Sequence, residues 1–120
     1  MNMEPVDSLR GLTEDIRAFA QERDWEQFHD PKSLILALVG EVGELAELFQ
    51  WVKADSAVEE FRAPARKQRA AEELSDVLIY LLRLADALDI DLAAAVPEKM
   101  RGPRQRFAPD EVAGVAPDKP

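Results

Sequence analysis

Cysteine is absent from this 120-residue chain, and histidine occurs once, at His29. Without thiols there is neither a disulfide framework nor a thiolate metal site. Basic charge is also in short supply: 15 Lys and Arg stand against 24 Asp and Glu, a formal net charge of −9. Such a surface does not attract nucleic acid nonspecifically, because that attraction needs basic patches. The longest apolar run, Leu34 to Gly40, is far too short to cross a bilayer. Met1 to Arg10 is polar, with Pro5 and Asp7 early, so no secretory signal is read there and a cytoplasmic location is expected. Period-2 alternation is lacking as well, which leaves no convincing strand. What remains is an all-α expectation: a compact bundle of about four helices in residues 1–107, followed by a flexible tail at 108–120.

Leu9, Leu12, Ile16, Phe19 and Ala20 form the apolar stripe of a first helix, from about Ser8 to Arg23. Asp24 to Asp30 is a connection. Asp30 before Pro31 is a capping residue followed by proline at the first helical position, so a second helix opens there and runs to about Val52. Lys53 to Pro64 reads as a charged linker, and a third helix follows from about Ala65 to Leu88. Asp91 can cap a short fourth helix, which Pro97 should kink or restart.

Two acidic pairs interrupt the most apolar helices: Glu41 and Glu44 on the second, Glu73 and Asp76 on the third. The i, i+3 spacing puts each pair on one face about one turn apart. At about 100° per residue, Leu34, Leu38, Leu45, Leu48, Phe49 and Val52 share a stripe that contains Glu41. Glu44 lies on its edge and Glu47 well outside. On the third helix Ala70, Leu74, Val77, Leu81, Leu84 and Leu88 form the expected stripe. Glu73 borders it, and Asp76, Tyr80 and Arg83 continue a narrow polar strip. Taking four carboxylates out of water is costly unless a hard divalent cation lies between them. Solvated acids on Glu-rich helices are the plainer explanation, and Glu47, Glu60 and Glu72 fit it. Leu78, Ile79 and Leu82 make a second apolar patch, which so small a domain cannot cover alone, so association through helix faces is expected.

Trp25 and Trp51 are ordinarily core or interface residues, and Tyr80 a half-buried one; His29 in a loop is ordinarily structural. Lys99, Arg101, Arg104 and Arg106 cluster after the short fourth helix, either as a solvated basic run or as phosphate ligands.

Three segments, taken in order, carry a resemblance: Glu22-Arg23-Asp24-Trp25-Glu26-Gln27-Phe28-His29, the stretch Leu38 to Trp51 with Gly40-Glu41-Val42-Gly43-Glu44, and Glu72-Glu73-Leu74-Ser75-Asp76-Val77-Leu78-Ile79-Tyr80-Leu81. Over about residues 12 to 107 the chain resembles the MazG-like all-α nucleoside triphosphate pyrophosphohydrolases, in particular their dCTP-hydrolysing branch. The resemblance implies Mg²⁺ held by Glu41, Glu44, Glu73 and Asp76. It implies a nucleobase packed against the segments bearing Trp25, His29 and Trp51, with Tyr80 nearby and phosphates met by Lys99 and Arg104. It further implies hydrolysis between the α- and β-phosphorus to a monophosphate and pyrophosphate, by a homodimer or a dimer of dimers. Where the family carries a phosphate-binding asparagine this chain has Pro103, and Ile16 stands where the mammalian dCTP-hydrolysing enzymes have a histidine.

Two other readings compete. A carboxylate-bridged redox di-metal bundle wants Glu-x-x-His pairs, and the one histidine is outside the helices. A non-catalytic helical oligomerisation module would leave the acids as surface charge and be indifferent to Mg²⁺.

Overall fold

A computed structural model describes residues 6–116, and within them every regular element is helical. Helix α1 spans Leu9–Glu22; the Ser8 hydroxyl accepts from the Gly11 amide at 3.0 Å and closes its first turn. A single 3₁₀ turn at Glu26–Phe28 follows. Helix α2, Pro31–Glu47, is capped by Asp30, whose carboxylate accepts from the Ser33 amide at 3.0 Å. A one-turn helix α3 at Ala57–Glu60 leads to α4, Pro64–Ala87, the longest element at 24 residues. Helix α5, Leu92–Arg106, is capped by Asp91, and a last turn, α6, lies at Pro109–Val112. The four long helices match the expected bundle. Helices α2 and α4 make the main pairing, α1 packs on α4, and α5 leans on α1.

Several expectations need correction. Helix α2 stops at Glu47, not Val52: the Leu48 and Phe49 amides bond to carbonyls three residues back, at 3.2 and 3.0 Å, which tightens and ends the helix. The Phe49 ring then stacks on Phe61 at 4.4 Å, tying this turn to the segment just after α3. The linker at 53–64 is therefore partly built. Pro97 does not restart the fourth helix: Pro97 and Pro103 both lie inside α5, which is 15 residues long and so carries Lys99, Arg101, Arg104 and Arg106 itself. Proline removes an amide and frees the carbonyl four residues back. Here the helix is largely exposed around both positions, so water can satisfy those carbonyls.

The apolar phase of α4 is also different. Leu74, Leu81 and Leu88, assigned to the inner stripe, are exposed, whereas Leu82, assigned to the second patch, is only 2% exposed. Helix α4 meets both α1 and α2, so its buried side combines small residues, Ala70 and Ala85, with the polar border residues Glu73 and Arg83. The remaining buried apolar residues are Ala20, Leu34 and Leu38. No large side chain among the described residues is completely enclosed.

A charge network fastens α1 to α4. Arg17 donates from Nε and Nη2 to the two Asp86 oxygens at 2.9 and 2.6 Å, and Arg83 Nη1 donates to Asp86 Oδ2 at 2.7 Å. The hydrogen bond from Arg17 is the main reason the Asp86 carboxyl is held below its ordinary value of 3.8, with Arg83 adding to it and burial opposing it. Because the folded value is depressed, the resulting stability is present above the unfolded value and is lost as pH falls through the folded one. Asp86→Asn should destabilise the fold by about 2 kcal/mol near neutral pH, since it weakens charged hydrogen bonds and removes the nearer of the two carboxylates that neutralise buried Arg83. In thermal melts the difference from the unmodified chain should shrink progressively below pH 3.8.

Candidate active site

The pairing of α2 with α4 brings Glu41, Glu73 and Asp76 together, with one carboxylate oxygen from each lying within 4.8 Å of the others. Ala70, one turn before Glu73, is small and buried, which permits this close approach. Glu73 is only 8% exposed; its Oε1 accepts from Arg69 Nε at 3.3 Å, while its Oε2 is buried without a partner. Glu41 Oε2 is likewise buried and unpartnered. Burial, first, and then the neighbouring Glu44, Asp76 and Glu73 push the Glu41 carboxyl above its ordinary value. Unpaired lone pairs beside mutually repelling carboxylates are what a divalent cation would neutralise. The donor set is all oxygen, which suits a hard ion. Glu44 is exposed at the rim, near enough to act on Glu41, and Glu47 is exposed outside the group.

A second feature lies further along α4. A cavity of about 180 Å³ opens between α1, the 3₁₀ turn and α4, with Ile16, Phe19, Trp25, His29, Tyr80 and Arg83 in its wall. Trp25 meets Phe19 edge-on at 5.8 Å, and the Arg23 guanidinium sits 3.7 Å over the other partner's ring, Phe19. Asp24 takes a left-handed backbone (φ 53°), which turns the chain so that the Trp25 amide can bond back to the Ala20 carbonyl at 2.9 Å. His29 Nδ1 is buried and unpartnered. Burial, then the nearby Arg83 charge, lower the proton affinity of His29 against the opposing pull of Glu26, so the imidazole is neutral near pH 7.

Of the residues picked from the sequence, Glu41, Glu73 and Asp76 form the acid cluster, and Trp25, His29 and Tyr80 share the cavity. Trp51 does not join them: it stands 88% exposed in the turn after α2. Lys99 and Arg104 are exposed on α5 and are not part of the cavity wall. The reading of the sequence did not foresee Phe19 and Arg83 as wall residues. A signal for Arg83 was present in the spacing of Glu73, Asp76, Tyr80 and Arg83, which alternates three and four and so follows one edge of α4 from cluster to cavity.

A sequence profile described as the MazG-like family matches residues 37–112, the stretch that contains all four acids. This chain belongs to the MazG-like family. It is 55% identical over 98 residues to dCTP pyrophosphatase 1 of Mus musculus and 54% identical over 98 residues to that of Homo sapiens, in both cases across 78% of this chain. The match spans 58% of the length of each of these mammalian relatives. Among solved structures, a pyrophosphatase from Archaeoglobus fulgidus superposes with a TM-score of 0.75 at 34% identity, covering 90% of this chain and 99% of that one.

The orphaned carboxylates lead to a test. Since the folded Glu41 carboxyl lies above its ordinary 4.5, ionising it costs the metal-free fold, and that cost sets in as pH rises past 4.5. Glu41→Gln should therefore raise the melting temperature in EDTA at neutral pH. Divalent cations should raise the melting temperature of the unmodified chain and leave the variant nearly unmoved. Equal cation responses in the two proteins would remove Glu41 from the metal site.

Proposed function

We propose that this chain hydrolyses a deoxynucleoside triphosphate, preferentially dCTP or a 5-modified dCTP, to the monophosphate and pyrophosphate, and so clears the cytoplasmic nucleotide pool. The observation that carries this reading is the placement, on one edge of α4, of an acid cluster with unmet lone pairs and a partly aromatic cavity. Asp76 and Arg83 are seven residues apart, about 10 Å along the helix axis. That separation suits a nucleotide with its base in the cavity and its phosphates over the acids. The names of the relatives, dCTP pyrophosphatase 1 in mammals and a pyrophosphatase in Archaeoglobus fulgidus, support the same reaction.

Each residue then has a task. Glu41, Glu73, Asp76 and Glu44 hold Mg²⁺, without which an acidic chain and a polyanionic substrate repel each other. A Mg²⁺ ion held there would supply Lewis-acid polarisation of the phosphates and charge stabilisation for departing pyrophosphate. Glu44, exposed at the rim, orients the attacking water and takes its proton. The water oxygen bonds to the α-phosphorus, the bond to the α–β bridging oxygen breaks, and pyrophosphate leaves with that electron pair. No side-chain nucleophile takes part. Trp25 and Tyr80 pack on the base, and His29, neutral, offers a hydrogen-bonding group at its edge. Lys99 and Arg104 meet the phosphates, Arg104 in place of the hydrogen bond that Pro103 cannot donate.

A second copy of the chain completes the assembly, as a dimer or a dimer of dimers. Two exposed apolar rows, Ile35, Val39 and Val42 on α2 and Leu74, Leu78 and Leu81 on α4, recur at i, i+4, i+7. Such rows remain stable when another helix covers them. Trp51, so exposed in one chain, becomes a base contact only when such a partner brings it over a cavity.

Canonical and modified dNTPs and NTPs with Mg²⁺, scored for monophosphate release, test the reaction. The cytosine deoxynucleotides should be turned over best, and no turnover of any triphosphate would refute the proposal. Stacking on an aromatic face contributes roughly 1–3 kcal/mol, so Trp25→Ala should raise KM about ten- to a hundredfold.

Light scattering tests the assembly. Leu78→Asp should shift it toward monomer, and a monodisperse monomer for the unmodified chain would refute it.

A further inference from the structure

We propose that Arg83 is a positioning residue for the base cavity, bridging Asp86 on α4 to Glu26 on the 3₁₀ turn and so holding Trp25 and His29 against α4. This rests on the reading of that cavity as the base site. Arg83 is an unusual residue to bury: it is 7% exposed, on a helix whose outward rows are leucine. Its guanidinium spans two carboxylates, donating to Asp86 at 2.7 Å and reaching Glu26 Oε1 at 3.8 Å. A planar fork suits this bridging role better than the point charge of lysine would.

The turn has little else to fix it to α4. Its backbone bonds run from Trp25 to Ala20 on α1, from Phe28 to Trp25 and from His29 to Glu26. The Gln27 side chain returns to Asp24 at 2.9 Å. Among the described residues, Glu26 to Arg83 is the one polar contact joining the turn to α4. Asp86 is itself anchored by Arg17, so the bridge ends on a point held by both α1 and α4. Without it the turn can pivot about Asp24 and carry the Trp25 ring away from Tyr80. The carboxylates of the acid cluster make no contact with this network, so the chemical step is spared while binding of the base weakens.

Steady-state kinetics at saturating Mg²⁺, with whichever triphosphate the chain turns over best, separate the possibilities. Glu26→Gln should raise KM about fivefold, or about 1 kcal/mol at 1.4 kcal/mol per tenfold, and leave kcat within about twofold. Arg83→Met should do the same, and adding Glu26→Gln to it should have no further effect on KM. The Glu26 side chain is 42% exposed, so its variant folds and decides the matter even where Arg83→Met does not fold. An unchanged KM in Glu26→Gln, or a fall in kcat alone, overturns the proposal. Trp25→Ala identifies which inference has failed. A raised KM there with none in Glu26→Gln keeps the base site and removes the positioning role. An unchanged KM in both returns the cavity to simple packing.

Discussion

Carboxylates placed where α2 meets α4 set the terms for the rest of the molecule. An interface between two amphipathic helices is ordinarily an apolar seam. Here the middle of that seam is given to Glu41, Glu73 and Asp76, with two carboxylate oxygens buried and unpaired. Every such group is a destabilising element until something neutralises it. The small side chain of Ala70 lets the acids converge, but it contributes little apolar burial of its own. The fold thus gives up stability at its centre to keep the carboxylates within reach of one another.

The other polar interactions make sense against that weakness. Arg17, Asp86 and Arg83 form a connected set in which each charge has an opposite neighbour, and it lies at the end of α4 away from the acids. Buried ion pairs seldom outperform a well-packed apolar contact, yet they fix geometry, because a displaced partner leaves a bare charge. That property is useful on the wall of a cavity. It also explains why His29 is neutral: burial and the Arg83 charge both disfavour its protonated form, leaving an uncharged hydrogen-bonding group on the cavity wall.

The helical class, the caps at Asp30 and Asp91 and the gathering of three of the four acids were legible in the sequence. Spacing along one helix is a local property, and the apolar phase of Glu41 marked it as inward-facing without any knowledge of its neighbours. The choice between the apolar sectors of α4 was not legible. Leu74 and Leu82 are equally hydrophobic; which of them is buried depends on where α1 and α2 lie, and the pattern of a single helix does not contain that. Trp51 shows the same limit in another form. Its neighbourhood is set by the turn that ends α2 at Glu47 and by the Phe49–Phe61 stack, neither of which has a periodic signature. The restart expected at Pro97 does not occur, because the usual cost of proline assumes a carbonyl with nowhere to turn, whereas on an exposed helix water can take the bond.

The exposed apolar rows and the unmet carboxylates are two consequences of one arrangement. Turning the polar strip of α4 inward, toward α2 and α1, rotates Leu74, Leu78 and Leu81 outward. Rotating the helix to bury those leucines would swing Glu73, Asp76 and Tyr80 toward solvent and dismantle both the cluster and the cavity wall. One chain therefore cannot satisfy its carboxylates and its leucines by itself. The proposed cation answers the first need and the proposed second copy the second. Because both needs come from the orientation of the same helix, loss of the cation should loosen the seam against which the partner packs. Assembly and metal binding are then expected to be thermodynamically linked through α4, each favouring the other by the amount it stabilises that single helix orientation.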